Sequence, residues 1–319
     1  MLNSAKEFLI NNIHKEDKIG VACSGGSDSV ALLHFVVVSK IIPLENIFAV
    51  NVNHKIRGEE SESDTMFVEK LSKELGIKFV GIEKNVPKIA KESGKGVEQV
   101  ARDVRYDFFS SLIKQEKLKF VLTAHHREDN IESILLNIFR GCGIDGLKGT
   151  KSIRNDGMLR PFLGVSKQEI MDYLQKNKLK YVEDLSNLDI YHTRNFLRHE
   201  VLPKILDRFP NATTAIENLS REASDVSDHM KSVLDTTLIR KEDELIILDT
   251  KALTNAMLGA RYVRECLQLA NMRQNMTRKH IQLILDLKTK GKGKQLDLPN
   301  GIVRKGRGFL EFEKTRNEK

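Results

Sequence analysis

IGVACSGGSDS, at residues 19–29, encodes the passage from a strand to a helix through a glycine-rich loop. Ile19–Ala22 is a short apolar run of the kind that forms a buried strand, and a helical pattern begins at Ser29. Gly25 and Gly26 permit backbone angles and a close approach that side chains would block. The first amides of the helix point at this loop with the positive end of the helix dipole. The segment therefore predicts a pocket for an anionic group.

The alternation of strand and helix continues through the first half of the chain. Three further strands are predicted at Ile47–Asn53, Phe79–Ile82 and Phe120–Ala124, and three crossover helices at Ser29–Ser39, Ser61–Leu75 and Val97–Gln115. Such repeated alternation predicts an α/β fold with a doubly wound parallel sheet. Ligands of these sheets bind at the carboxyl ends of the strands. The residues that follow each strand are therefore the candidates for a site.

The length and the later sequence pattern predict a second domain. A chain of 319 residues exceeds the size at which a single core usually stops growing. Beyond Arg160 the pattern is mainly helical, with Ser166 and Glu169 at the spacing of a capping box. The last part is predicted as a strand, two helices and a short β region, at Leu245–Leu248, Lys251–Ala270, Thr277–Leu287 and through Leu310–Phe312. We therefore expect an α/β domain over 1–209, a helical connector over 210–238 and a smaller, mainly helical α+β domain over 239–319.

The sequence has no feature of a membrane protein or of a disulfide framework. The longest apolar stretch, Val30–Val38, is interrupted by His34 and is much shorter than the roughly 18 to 20 residues that span a bilayer. The N-terminus lacks the apolar core of a signal peptide. The cysteines are far apart and form no CxxC motif, so reduced thiols are expected. The sequence thus predicts a cytoplasmic protein without a membrane partner.

The loop offers an anion both backbone amides and hydroxyl groups. Its candidate ligands are Ser24, Gly25, Gly26, Ser27, Asp28 and Ser29. The chain contains no G-x-x-x-x-G-K-[ST] sequence, which excludes a Walker loop, and a plain serine–glycine turn is the alternative. A G-x-G-x-x-G match at Gly141–Gly146 follows a predicted helix, Asp129–Arg140, rather than a strand. We therefore interpret that match as a helix terminus.

Charged residues follow the second strand and line one face of a later helix. His54 and Arg57 come directly after the second strand, where arginine could bind a phosphate in a bidentate manner and histidine could hydrogen-bond a nucleotide. Glu98, Arg102 and Arg105 have spacings of four and three and share a helical face. The alternative for His54 and Arg57 is a solvated loop. The alternative for the helical face is a surface ion pair between Glu98 and Arg102, which contributes only about 0.3 to 0.5 kcal/mol.

A third cluster follows the fourth predicted strand. His125, Asp129 and Glu132 fall on one helical face, which suits either a metal site or acid–base chemistry beside a phosphate. A zinc site would need further histidine or cysteine ligands, and the spacing indicates none. Oxygen ligands favour Mg²⁺ instead, held by Asp28 or Asp129 and by the phosphates of a nucleotide.

Together these segments resemble the tRNA(Ile)-lysidine synthases, a family of PP-loop ATP pyrophosphatases. The resemblance covers Ile19–Ile205 and rests on SGGSDS, VNHKIRGEES, EQVARDVRYDFF, TAHHREDNIES, FRGCGIDGLKG, LRPFL and EDLSNLDIYHTRNFLRHEVLPKI, in that order. The sequence departs from the family pattern at Cys142, Glu128 and Asn130, where serine, aspartate and glutamine are more usual. Longer members of the family carry a further domain after the one predicted here.

The resemblance implies a two-step reaction with ATP and Mg²⁺ as cofactors. ATP adenylates O2 of the wobble cytidine in a tRNA-Ile with a CAU anticodon, and the ε-amine of free L-lysine then displaces AMP. The product, lysidine, makes the tRNA read AUA instead of AUG. Under this hypothesis Asp129 or His125 accepts the amine proton, with Arg102 and Arg105 near the ATP and the reacting centre.

Two basic segments are candidates for tRNA binding. By the resemblance, the helical segment with Arg194, Asn195 and Arg198 contacts the tRNA backbone, and its alternative is a helix with solvated arginines that packs on the sheet. The net charge of +8 is concentrated at the end of the chain, where residues 278–319 carry 12 basic and 5 acidic side chains. Within that end, KTKGKGK at 288–294 is either a flexible loop or a phosphate-binding one, with Lys290, Lys292 and Lys294 as the candidates. The oligomeric state stays open, a homodimer included.

Two other functions use related features. A PP-loop tRNA thiolase activates a base carbonyl with the same loop, but it normally carries paired cysteines or an iron–sulfur cluster, and this chain has no CxxC. A tRNA-binding protein that has lost catalysis is the other alternative. The intact loop with Asp28, and the intact Arg102, Arg105 and Asp129, argue against it.

The basic segment gives a prediction about salt. Replacement of Lys290, Lys292 and Lys294 together by alanine should lower the slope of log tRNA affinity against log salt concentration, by up to about 0.9 for each phosphate that is no longer neutralised by a lysine. ATP affinity should stay unchanged, because the nucleotide pocket lies in the other predicted domain. Filter binding at several salt concentrations measures the slope, and an unchanged slope would mean that these charges are only solvated.

Overall fold

The computed structural model describes residues 2–115, 117–183 and 193–315. The chain divides into two compact units, residues 1–221 and 222–319, and the division falls within one long helix, Ala212–Ser232. Residues 184–192, part of the last stretch quoted for the resemblance, lie outside the described residues. Each unit has a sheet and a core of its own.

A five-stranded parallel sheet forms the centre of the first unit. Its strands are β1 (Ile19–Ala22), β2 (Ile47–Asn53), β3 (Lys78–Glu83), β4 (Phe120–Leu122) and β5 (Met158–Leu159). Their order in space is β3-β2-β1-β4-β5, and every neighbouring pair is parallel. The direction of strand order reverses between β1 and β4, which is the switch point of a doubly wound sheet.

Helices cover both faces of this sheet. The helices of this part of the chain are α1 (Asn3–Asn12), α2 (Ser27–Ser39), α3 (Glu59–Glu74), α4 (Val86–Ser93), α5 (Val97–Lys114), α6 (Arg127–Phe139), α7 (Ile144–Leu147), α8 (Lys167–Lys176), α9 (Thr193–Phe196) and α10 (Leu202–Arg208), followed by α11 (Ala212–Ser232), within which the division falls. Neighbouring residues of β2 enter opposite cores, Ala49 with the buried face of α2 and Val50 with Phe109 of α5. This alternation follows from the two-residue period of a strand. The predicted α/β class is confirmed.

The helix boundaries agree with the sequence within a few residues. Ser166 caps α8, and its hydroxyl and the Glu169 carboxylate form the predicted capping box. The G-x-G-x-x-G match is confirmed as a helix terminus, because α6 ends at Phe139 and Gly141 has a φ of +77°. The sequence missed β5, whose two residues are too short to leave a pattern.

The second unit consists of an antiparallel sheet with helices. Its elements are β6 (Ile239–Glu242), β7 (Leu245–Asp249), α12 (Ala256–Leu269), α13 (Arg278–Asp286), β8 (Gln295–Leu298), β9 (Gly301–Lys305) and β10 (Phe309–Lys314). The strand order is β6-β7-β10-β9-β8. Val263 of α12 and Ile284 of α13 pack with Leu248 and Phe312 of the sheet in one buried cluster. The predicted α+β class of this part of the chain is confirmed, with a larger sheet than the sequence indicated.

The helix predicted at Lys251–Ala270 is interrupted. A 3₁₀ turn covers Thr250–Leu253, and α12 begins only at Ala256, because the side chain of Asn255 accepts hydrogen bonds from the amides of Met257 and Leu258 and caps the helix. Within the described part of the chain, no helix combines the length and apolar character needed to cross a membrane.

Candidate active site

The glycine-rich loop lies at the carboxyl end of β1, beside β4, where the strand order reverses. Open α/β sheets bind their ligands at this point. Gly25 has a φ of +93°, and a Cβ there would lie 3.4 Å from Cγ2 of Val182. The amide of Val182 donates a hydrogen bond to the carbonyl oxygen of Gly25 at 2.9 Å. The loop conformation therefore requires glycine at position 25.

The polar groups of the loop serve two purposes. Ser29 is buried, and its hydroxyl donates to the carbonyl oxygen of Gly26 (2.9 Å) and accepts from the amide of Ser24 (3.2 Å). The side chain thus holds the loop together, whereas the sequence predicts it as a nucleotide ligand. Gly26 is the N-cap of α2, so the amides of Ser27 and Asp28 start the helix without intrahelical acceptors. These amides and the exposed Ser24 hydroxyl are the groups open to an anion.

A buried histidine connects the loop to the start of α6. Nδ1 of His126 lies 2.9 Å from Oε2 of Glu128, and Nε2 lies 3.5 Å from Oδ2 of Asp129 and 3.8 Å from Oδ2 of Asp28. Burial by itself lowers the pKa of His126, but the hydrogen bond to Glu128 and the charges of Asp129 and Asp28 outweigh it and raise the pKa above its ordinary value. The three carboxylates around His126 therefore favour its protonated form.

Asp129 is held in place on both of its oxygens. Oδ2 accepts a hydrogen bond from the amide of His126 at 3.1 Å, and Oδ1 accepts one from Nη2 of Arg198 at 2.9 Å. Arg198 also donates to Glu132, which is fully buried, at 2.6 and 2.9 Å. Arg194 donates to the hydroxyl of Ser133 at 2.8 Å and lies 3.5 Å from Glu132. The sequence predicts Arg194 and Arg198 as contacts of the tRNA backbone, whereas their guanidinium groups here face the acidic side of α6.

His125 has the opposite electrostatic environment to His126. It precedes α6 rather than sharing its face, and its Nδ1 lies 3.0 Å from Oγ1 of Thr123. Burial lowers the pKa of His125 to about 4; the charges of Arg160, Arg194 and Arg102 act in the same direction, against the opposing effect of Asp129. At neutral pH this imidazole is therefore uncharged and can accept a proton.

A group of arginines surrounds Tyr106 on α5. The guanidinium carbons of Arg102 and Arg154 lie 4.7 and 4.9 Å from the centre of the Tyr106 ring. Nη2 of Arg105 lies 3.5 Å from Nε2 of His54. Burial and the charge of Arg105 lower the pKa of His54 to about 4, so this imidazole is neutral as well. Arg105 of α5 thus meets His54, which follows the carboxyl end of β2.

Other predicted residues have partners elsewhere or belong to the second unit. Nη2 of Arg57 donates to Oδ2 of Asp64 on α3 at 2.7 Å, whereas the sequence predicts a phosphate as its partner. Asn195 lies on α9. The three lysines of the basic segment are exposed on the loop before β8, within the second unit: Lys290, Lys292 and Lys294.

Sequence reasoning missed Lys167 and Arg160, two residues of the site. Nζ of Lys167 donates to Oδ1 of Asp28 at 2.5 Å and to Oγ of Ser27 at 2.9 Å. Arg160 is buried, donates to the carbonyl oxygen of Lys151 at 2.5 Å, and leaves its Nε without a partner among the described residues. The only sequence signals were the LRPFL motif for Arg160 and the cap at Ser166 for Lys167.

The site has the oxygen ligands that Mg²⁺ prefers. The carboxylates of Asp28 and Asp129 both approach Nε2 of His126, at 3.8 and 3.5 Å. Mg²⁺ in nucleotide sites is bound by one or two carboxylates together with phosphate oxygens and water. Among the residues with described positions, no three histidine, cysteine or acidic side chains form a metal cage. The pair of aspartates therefore fits a magnesium ion that arrives with a nucleotide better than a metal held by protein alone.

Comparison with known sequences assigns the class of this site. Residues 2–205 match the family model of the PP-loop domain. The chain is 32% identical over 305 residues to a tRNA(Ile)-lysidine synthase of Clostridium perfringens, an alignment that covers 93% of this chain and 65% of that protein. It is 32% identical over 235 residues to a tRNA(Ile)-lysidine synthase of Chlorobaculum tepidum, which covers 71% of this chain and 70% of the relative. This PP-loop chain belongs to the tRNA(Ile)-lysidine synthase family.

Solved structures support the fold. The chain is similar to the U34-tRNA thiolase NcsA from Methanococcus maripaludis, with a TM-score of 0.56 and 18% sequence identity, over 70% of this chain and 78% of that one. At this identity the similarity concerns the architecture alone.

The two neighbouring histidines predict opposite effects of pH on stability. His125 has a folded pKa of about 4 and an ordinary unfolded value of about 6.5, so the unfolded chain binds the extra proton between these limits and stability falls as the pH drops from 6.5 to 4. His126 has a raised folded pKa, so its stabilisation is full below about pH 6.5 and is lost as the pH rises through the folded value.

Urea unfolding at a series of pH values measures both effects. His125→Gln should flatten the loss of unfolding free energy below pH 6.5, and His126→Gln should remove a stabilisation that the parent chain has at low pH and loses at higher pH. His14→Gln is the control, because His14 is exposed. An unchanged pH profile in His125→Gln would contradict the assigned neutral state.

Proposed function

We propose that this chain converts the wobble cytidine of a tRNA-Ile with a CAU anticodon to lysidine, using ATP and free L-lysine. The observation that carries the proposal is the meeting of the SGGSDS loop and the acidic start of α6 at His126, at the switch point of the sheet. That arrangement supports the proposal, because a loop suited to an anion lies beside carboxylates and a neutral histidine, in a chain of the lysidine synthase family. Formation of an adenylated base and its capture by an amine need these three elements.

In the first step the loop binds the phosphates of ATP. The free amides of Ser27 and Asp28 and the positive end of α2 would stabilise the phosphate charge. O2 of cytidine attacks the α-phosphorus, and the bond from this phosphorus to the oxygen that bridges it to the β-phosphorus breaks. Pyrophosphate leaves with the bond electrons. Mg²⁺, held by Asp28 and Asp129, would supply positive charge to the phosphates.

In the second step the amine of lysine attacks C2 of the adenylated cytidine. The C2–O2 bond breaks and AMP leaves with that oxygen and the electron pair. The amine attacks in its neutral form, and the nitrogen becomes a strong acid once it is bonded to the ring, so a weak base suffices to remove its surplus proton. Neutral His125 is the better acceptor, because burial would raise the pKa of Asp129 but the charges of His126 and Arg198 and the hydrogen bond from the His126 amide outweigh it and lower that pKa. Asp129 then orients the site through His126 and Arg198.

Positive charge near the site suits an RNA substrate. Arg102, Arg105 and Arg160 have no carboxylate partner among the interactions of the described residues, and Nε of Arg160 is buried without an acceptor. Arg160 is buried and Arg102 and Arg105 are exposed, and guanidinium groups without carboxylates are well suited to phosphate oxygens, which they bind in a bidentate manner. We propose that these arginines bind the anticodon backbone or the α-phosphate, and that the exposed lysines of the second unit add sequence-independent affinity for tRNA.

The decisive experiment is mass spectrometry of the wobble nucleoside after incubation of the chain with ATP, Mg²⁺, lysine and an unmodified tRNA-Ile transcript. We expect lysidine together with stoichiometric AMP and pyrophosphate. A tRNA-Met transcript is the control for specificity. A sulfur-containing nucleoside in the presence of a sulfur donor would indicate a thiolase instead, and an unmodified cytidine without pyrophosphate release would indicate a binding protein.

The two candidate proton acceptors can be separated by variants. His125→Ala should lower the rate of lysidine formation about 100-fold or more, while pyrophosphate release in the absence of lysine continues, since only the second step loses its acceptor. Asp129→Asn should slow both steps, because it weakens the metal site and the link to His126. Rapid-quench measurement of pyrophosphate and lysidine distinguishes the steps.

His14→Ala is the matched control for the first variant, because His14 is exposed and away from the site. If His125→Ala has the parental turnover at saturating lysine, His125 is not the proton acceptor. If Asp129→Ala has the parental turnover, Asp129 is not the proton acceptor.

A further inference from the structure

Lys167 is the cation that contacts the glycine-rich loop most directly. Its Nζ donates to the carboxylate of Asp28 at 2.5 Å and to the hydroxyl of Ser27 at 2.9 Å. Ser27 and Asp28 are the first two residues of α2, whose amides face the anion pocket. A side chain from a segment about 140 residues further along the chain thus reaches the pocket itself.

Hydrogen bonds fix the backbone around Lys167, so its side chain starts from a defined position. The amide of Lys167 donates to Oε2 of Glu128 at 2.9 Å, and Ser166 caps α8. The carbonyl oxygen of Val165, two residues before Lys167, accepts a hydrogen bond from the amide of Arg127 at 2.9 Å. The start of α8 is therefore tied to the start of α6, and the lysine stem leaves from an anchored point.

The electrostatics of the pocket call for a cation at this place. Asp28 puts a negative charge in the first turn of α2, where the amides face the proposed phosphate site, and this charge would repel phosphate oxygens. Lys167 offsets that charge, and its side chain stays part-exposed and open to a ligand. An ammonium has three donors, and Asp28 and Ser27 use two of them.

We propose that Lys167 binds the pyrophosphate portion of ATP and stabilises it as the leaving group. The third N–H of the ammonium, together with the one now given to Ser27, would donate to oxygens of the β- or γ-phosphate. When the bond between the α-phosphorus and its bridging oxygen breaks, that oxygen leaves on pyrophosphate with the electron pair, and Lys167 offsets the added charge. This inference rests on the proposed ATP-dependent function, but its test does not require lysidine formation.

The test is calorimetric titration of the full chain with inorganic pyrophosphate and, separately, with AMP. Lys167→Met keeps the apolar stem and removes the charge, and it should weaken pyrophosphate binding by about 10- to 100-fold while AMP binding stays within about twofold. Lys167→Arg should retain most of the affinity for pyrophosphate. Lys176→Met is the matched control, because Lys176 is exposed at the other end of α8 and should bind both ligands like the parent.

A double-mutant cycle with Asp28→Asn tests whether Lys167 contacts pyrophosphate or only neutralises the charge of Asp28. If Lys167 binds pyrophosphate, Lys167→Met should weaken binding in the Asp28→Asn background as well. If Lys167 only neutralises Asp28, its removal should have no effect once Asp28 is uncharged, and the proposal is then wrong. Thermal unfolding of each variant identifies any that fail to fold, and Lys167→Arg then carries the comparison with the parent.

The outcomes also separate this inference from the proposed function. A chain that binds pyrophosphate through Lys167 but makes no lysidine would retain the inference and refute the function. A chain that makes lysidine, and whose Lys167→Met variant binds pyrophosphate and releases it at the parental rate, would retain the function and refute the inference.

Discussion

The structure of this site depends on the pairing of its buried charges with groups of opposite charge. Four carboxylates, those of Asp28, Glu128, Asp129 and Glu132, lie around the carboxyl ends of β1 and β4, and Glu132 is fully buried. An unpaired charge in such surroundings is unfavourable, and removal of one partner of a buried pair commonly costs about 3 to 5 kcal/mol. The protein meets this constraint with Lys167, Arg198 and Arg194, and with His126, whose protonated form the carboxylates favour.

The pairing connects elements that the sheet alone would not hold together. Lys167 joins α8 to α2, His126 joins the loop before α6 to α2, and Arg198 joins the segment between α9 and α10 to α6. The same groups are the ones that a nucleotide and a metal ion would contact. Substrate binding in this arrangement is an exchange of partners within an existing network, and the site is therefore largely formed before the substrate arrives.

The sequence predicted the parts of this site that depend on neighbouring residues. The loop at 24–29 is preceded by its strand and followed by its helix, and both are visible as local patterns. Asp129 was found because it follows a strand. Lys167 and Arg198 were not assigned to this network, because their carboxylate partners lie 139 and 69 residues away and no local period records such a pair.

Strand prediction has the same limit, because a local pattern does not record long-range partners. The apolar run IFAV at the start of β2 made that strand plain in the sequence. In contrast, β6 reads IRKE and is mostly exposed, and it is a strand because it pairs with β7. Pairing of this kind is a tertiary property, and a sequence pattern of apolar and polar residues does not contain it.

The hydrogen bond from Val182 to Gly25 has a consequence for the order of events during synthesis. The loop is encoded within the first tenth of the chain, yet the amide that holds Gly25 belongs to a residue made more than 150 positions later. Contacts of such long sequence separation form late, because the entropy of closing the intervening chain must be overcome first. A nascent chain shorter than about 180 residues has the loop but lacks the backbone that fixes it. Capacity to bind a nucleotide is thus acquired near the completion of the first unit, and a truncated product would not sequester ATP.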